Sequence, residues 1–194
     1  MRQVKAIIGL GNPGNDYAGT RHNVGAWVVH ALARQAGGEL RPDKKFLGLH
    51  ARVRLDGHDL HLLEPTTFMN RSGGAVAALC QFFRLEADEL LVAHDELDLP
   101  AGTARYKQGG GHGGHNGLRD IISALGNERG FHRLRLGIGH PGDARQVTQY
   151  VLGRPGKAEH AAIDAVIDEC LATLPLAIAG DWAKAMNRLH SFKP

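Results

Sequence analysis

The chain has 194 residues, 43% of them hydrophobic, 22% charged and 6% aromatic, which excludes a disordered, collagenous or coiled-coil protein. That length suits one domain over residues 1–194, with a core large enough to need no disulfide or metal staple. Lys+Arg 23 against Asp+Glu 20 leaves a formal charge of only +3, and no apolar run nears the ~18 residues of a membrane span. With no signal-peptide pattern either, a cytoplasmic protein without membrane contact is expected.

Taken in order, Val4–Leu10 is a short β-branched run ending in glycine, hence a buried strand. Val24–Ala36 places Val24, Trp27, Val28, Ala31 and Leu32 at helical spacing, and Gly37-Gly38 stops it. Phe46–Leu55 and His58–Glu64 flank Asp56-Gly57, a hairpin turn signal. Ala75–Phe83 reads as a helix, Leu90–Ala93 and Thr103–Lys107 as strands, Leu118–Leu125 as a helix and Arg133–Ile138 as a strand. From Lys157 onward, Ile163, Val166, Ile167, Cys170, Leu171 and Leu174 form an apolar helical stripe, which Pro175 is expected to kink or end. Asp181 is the expected N-cap of a last helix reaching Leu189. Cys80 and Cys170 sit in apolar runs and read as small buried hydrophobes. The fold class is therefore α/β: a single globular domain, a twisted mixed β-sheet with helices on both faces, and a C-terminal helical segment.

Glycine is unevenly spread. Residues 9–25 and 102–142 together hold 17 of the 26 glycines, so loops shaped for a ligand are expected in those two stretches. Charge is uneven too. Residues 1–54 carry 9 basic and 3 acidic side chains, residues 102–145 carry 7 and 3, and the intervening 84–101 carry 1 and 6. Two basic segments around an acidic one fit either a phosphate-bearing ligand beside an acidic pocket or plain solvated faces.

Gly9-Leu10-Gly11-Asn12-Pro13-Gly14 formally matches the dinucleotide fingerprint, but Asn12–Asn15 is turn chemistry and the helical pattern starts some ten residues later. The segment reads instead as a shaped loop presenting Asn12. His22 lies at a helix N-terminus, which disfavours imidazolium and helps keep a general base neutral; a surface or capping histidine is the alternative. Asn70 either caps the helix that follows it or lines a site. His94-Asp95-Glu96-Leu97-Asp98 follows a strand and permits a metal without requiring one. In GGGHGGHNG, residues 109–117, His112 and His115 lack the further ligands of a zinc site, and a flexible backbone presenting Asn116 is the more natural reading. Arg105 and Lys107 share one strand face, as do Arg133 and Arg135, and two such pairs suit a phosphate. Asn12, Asn70 and Asp95 all come at or just past strand ends, the edge where open α/β sheets bind ligands. With His22 they make a base, a carboxylate and amides without thiol or serine, a set suited to hydrolysing an ester with an activated water.

GLGNPG, the TRHNVG around His22, PTTFMN, HDELDLP, GGGHGGHNGL and FHRLRLGIGHPG resemble, in order and spacing, the bacterial-type peptidyl-tRNA hydrolases over nearly the whole chain. The resemblance implies a cofactor-free and metal-independent hydrolysis of the ester joining a peptide to the 3′-end ribose of tRNA, which frees the tRNA for translation. It implies His22 as the base, Asp95 orienting it, and Asn12 recognising the peptide beside the ester. Tyr17, Phe68, Met69, Asn70, His115 and Asn116 would contact the substrate, and Arg105, Lys107 and Arg135 the tRNA phosphates. The Arg105 position is often lysine in that family. A non-catalytic RNA-binding protein on the same fold and a metal-dependent phosphoesterase using Asp95, Glu96, Asp98 and the histidines are the competing readings.

Overall fold

The computed structural model describes residues 2–194. Its strands are β1 (Ala6–Gly9), β2 (Arg41–Asp43), β3 (Gly48–Leu55), β4 (His58–Pro65), β5 (Leu90–Glu96), β6 (Ala104–Gln108) and β7 (His132–Gly137). The helices are α1 (Asn15–Ala18), α2 (Val24–Gln35), α3 (Ser72–Phe83), α4 (Asn116–Ala124), α5 (Val147–Val151), α6 (Lys157–Ile178) and α7 (Trp182–His190). All seven strands form one mixed sheet in the order β2-β3-β4-β1-β5-β7-β6. The central β4, β1, β5 and β7 run parallel, while β2–β3–β4 and β6–β7 pair antiparallel.

Side chains alternate across β1, so Ile7 and Ile8 enter different cores. Ile7 and Leu91 pack with α2, α6 and α7; Ala6, Ile8 and Val92 pack with α3 and α4. Helix α2 fully buries Val24, Val28, Val29 and Leu32, each side chain contributing about 1.5–3 kcal/mol. The chain leaves β1 toward α2 on one face and leaves β4 toward α3 on the other. This opens a crevice at the carboxyl ends of the parallel strands. Gly25 lets the first turn of α2 press onto the middle of β5, for a methyl group there would collide with the Ala93 carbonyl.

Most expected elements are present, with instructive differences. Helix α6 is not ended by Pro175 but runs three residues beyond it. Leu174, Ala177 and Ile178 are buried around the proline and anchor the last turn in the core, which outweighs the missing N–H. Asp181 does cap α7, accepting from the Lys184 N–H at 3.2 Å. Phe46 lies in a 3₁₀ turn rather than in β3, and Leu47 then takes a left-handed φ of 51°. Strand β5 continues to Glu96, so His94 and Asp95 are strand residues and not part of a following turn. The short α1, α5 and β2 have too little periodicity to be read from sequence. Cys80 and Cys170 are buried and unbonded, as expected, and burial pushes the Cys80 thiol up to about 11.

Candidate active site

A cavity of about 1290 Å³ occupies the crevice, walled by the segments after β1, β4 and β5, the glycine stretch, β7 and the 144–152 segment. At its base lies Asp95, whose side chain is only 3% exposed. His22, in the 3₁₀ turn before α2, donates from Nδ1 to Asp95 Oδ2 at 2.8 Å. His115 donates from Nε2 to the other oxygen, Oδ1, also at 2.8 Å. The tautomer of His115 is set from behind. Its Nδ1 caps α4, accepting from the Gly117 and Leu118 N–H groups at 3.1 and 3.3 Å, so Nε2 must carry the proton. The bond from His22 Nδ1 leaves its Nε2 lone pair for the cavity that His22 lines.

The electrostatics follow from this bridge. Burial by itself would raise the Asp95 carboxyl, but His22 and His115 hold it well below the usual carboxylate range. Burial pulls the His22 imidazole down, yet the Asp95 charge and hydrogen bond outweigh it and leave His22 above its ordinary value. A helix N-terminus favours the neutral imidazole, but a carboxylate at 2.8 Å acts more strongly than a half-unit dipole charge, so the net direction is upward. The result is a stronger base that needs a higher pH to be unprotonated.

His22, Asp95 and His115 are also the one cluster among the described residues whose donor atoms could surround a metal ion. The donor chemistry disfavours it: the backbone cap makes His115 Nε2 an N–H, which points at Asp95 as a donor and not as a ligand. His112 is not part of this cluster; its Nδ1 accepts from the Gly114 N–H within its own loop.

Asn12 is held by an interlocking amide pair. Its N–H donates to Asn23 Oδ1 and its carbonyl accepts from Asn23 Nδ2, both at 2.9 Å. Asn12 Oδ1 accepts from the Met69 N–H at 2.7 Å, which fixes the amide orientation and leaves the Nδ2 hydrogens as donors at the cavity wall. Buried Asn23 had no assigned role in the sequence reading; it sits beside His22 in TRHNVG, but only the fold brings it against Asn12.

The other expected residues divide by position. Phe68, Met69, Asn70, Asn116, Lys107 and Arg135 line the cavity, with Phe68 56% exposed and Met69 buried. Asn70 makes no capping bond, so the capping alternative falls away. Tyr17 stands outside the cavity lining and packs edge-on against Phe68, ring centroids 6.2 Å apart. His115 also lines the cavity, with both of its ring nitrogens engaged within the protein. Arg105 lies directly across the β6–β7 ladder from Arg135 and, unlike it, outside the cavity. Arg135 itself donates to Glu96 Oε1 at 3.0 Å. Arg133 departs from the expected phosphate clamp. It is 3% exposed and donates to the Gly110 and Gly111 carbonyls, pinning the glycine stretch onto β7.

The chain has close counterparts. The family model described as peptidyl-tRNA hydrolase matches residues 6–194. The peptidyl-tRNA hydrolase of Chromohalobacter salexigens is 72% identical over 192 residues, covering 99% of each chain. That of Marinobacter nauticus is 62% identical over 193 residues, covering 100% of this chain and 98% of its own. The crystal structure of peptidyl-tRNA hydrolase from Acinetobacter baumannii superposes with a TM-score of 0.95 at 46% identity, over 98% of this chain and 96% of that one. A family model spanning nearly the whole chain, together with full-length relatives at this identity, establishes that this chain belongs to the peptidyl-tRNA hydrolase family.

Proposed function

We propose that this chain hydrolyses the ester between the peptide and the 3′-terminal ribose of peptidyl-tRNA, with His22 as general base. The observation that carries the residue assignment is the Asp95 bridge, which fixes His22 Nδ1 as a donor and leaves Nε2 as the basic atom at the cavity. Nε2 takes a proton from a water molecule as the oxygen adds to the ester carbonyl carbon. The tetrahedral intermediate then collapses, the bond to the ribose oxygen breaks, and the imidazolium returns the proton to that oxygen. Asp95 stays ionised, orients the ring and stabilises its positive charge; His115 holds Asp95. The Asn12 amide donates to the substrate carbonyl as negative charge grows there, a contact of the kind that contributes about 2.7–4 kcal/mol. None of these steps requires a cofactor or a metal ion.

Phe68, Met69, Asn70 and Asn116 would hold the 3′-terminal nucleotide and peptide, with Tyr17 supporting Phe68. Lys107, Arg105 and Arg135 would grip tRNA phosphate, with the enzyme acting as a cytoplasmic monomer over the whole of 1–194. No helix among the described residues is long and apolar enough to cross a membrane. The test compares release of N-acetylated and free aminoacyl groups from tRNA, with and without EDTA. Selective, EDTA-resistant release of the N-acetylated group is expected. Loss of activity in chelator would favour the metal-dependent reading, and an absence of deacylation the RNA-binding one.

A further inference from the structure

Strand β6 is an outer edge of the sheet, paired only with β7. Antiparallel pairing turns alternate amides of such a strand outward, where they lack partners unless something covers them. The outward amide of Tyr106 is covered: it donates to Nε2 of His190, the last residue of α7, at 3.0 Å. The rest of Tyr106 is fixed as well. Its hydroxyl meets Thr173 Oγ1 of α6 at 2.8 Å, and its ring stands edge-on to Trp182 with centroids 5.5 Å apart. Helix α7 is tied down in turn by the Asp181 cap and by Arg188, which donates to Glu169 at 2.6 Å. Burial, with Arg105 and Arg135 next in effect, pushes the His190 imidazole below its ordinary value, consistent with Nε2 acting as an acceptor. Flanking the pinned residue are the exposed Arg105 and Lys107.

We propose that His190 is a positioning residue for RNA binding: by capping the Tyr106 amide it holds edge strand β6 flat, so that Arg105 and Lys107 meet the tRNA backbone in a fixed register with Arg135. This rests on the reading that those cations grip phosphate. A strand already held straight pays less ordering entropy when RNA arrives, so the contact acts on binding and not on the chemical step.

The test combines steady-state hydrolysis of N-acetylaminoacyl-tRNA, equilibrium binding of deacylated tRNA and hydrogen exchange at the Tyr106 amide. His190→Ala should speed that exchange and raise KM and the tRNA Kd about 2- to 10-fold, as the loss of one hydrogen bond predicts. Its kcat should stay within about twofold of the parent enzyme. His190→Gln, with an amide oxygen near the place of Nε2, should restore both; His190→Met substitutes for alanine should the latter not fold. In an Arg105→Gln/Lys107→Gln background, His190→Ala should weaken binding no further. A faster Tyr106 exchange with unchanged KM and Kd overturns the proposal, as does equal weakening in both backgrounds. If Arg105→Gln/Lys107→Gln by itself leaves tRNA binding unaltered, the phosphate reading falls and the His190 role falls with it.

Discussion

The base of the crevice and the β6–β7 platform beside it use charge in opposite ways. At the His22–Asp95–His115 bridge the side chains are 15%, 3% and 10% exposed, and every shared proton has an assigned direction. At the β6–β7 platform Arg105 and Lys107 are exposed and neither has an ion-pair partner among the described residues; Arg135 has only Glu96. Burial makes the first set strong, short-range and nearly blind to salt, because little solvent screens it. Exposure makes the second set long-range and salt-sensitive, suited to drawing in a polyanion. The bridge should therefore govern the rate of the chemical step and the platform the binding of substrate.

The sharpest way to break this division is His22→Ala, which should lower kcat about 10²–10⁴-fold while tRNA affinity stays within about twofold in an anisotropy titration. An affinity loss as large as the rate loss would mean that His22 binds rather than catalyses. Asp95→Asn should also cost on the order of 10²-fold in kcat, by loosening the ring's tautomer and orientation. Its pH profile carries a further sign. With His22 as the proposed base, activity should rise with pH through a value that Asp95 holds above 6.5. Without the carboxylate, burial acts unopposed, and the acid limb should move to lower pH. A limb that stays put would detach Asp95 from His22.

Lys107→Ala is the corresponding lesion on the platform. It should weaken tRNA binding several-fold and reduce the slope of log K against log salt by about 0.7–0.9, the release of roughly one counterion, with kcat little changed. An unaltered slope would remove Lys107 from the phosphate contacts.

A smaller effect lies away from both. His61 is stacked on Phe83 with centroids 3.9 Å apart, and its Nδ1 lies 3.1 Å from His50 Nε2. Burial and then the His50 charge lower His61 to about 4. Its folded value is depressed, so the stabilisation it gives is full above about 6.5 and is lost as pH falls through about 4. Chemical denaturation between pH 7 and 4 should show a falling midpoint, with a shallower decline in His61→Phe.

Much of this was legible in the residues because it is locally encoded. Buried strands such as β1 and β5 announce themselves as short apolar runs, and the Asp56-Gly57 turn sets the β3–β4 register residue by residue. Asn12, His22, Asp95 and Asn116 stand out as polar residues placed at element ends. The departures each come from contacts between distant residues. Pro175 carries a local breaking signal that the surrounding core overrides. Arg133 has the same alternation as Arg135, and only the arch of the glycine stretch over β7 turns it into a backbone clamp.

What the sequence determined by itself is the inventory: an α/β chain, two glycine-shaped stretches, a base, a carboxylate, amides and paired cations, in the order that marks a peptidyl-tRNA hydrolase. What the tertiary structure alone decided is the state of those groups. Whether His22 is raised or lowered, and which arginines face solvent, depend on neighbours 22 to 73 positions away. Protonation and exposure are set by distance and burial, and those are properties of the packed chain, not of any segment read alone.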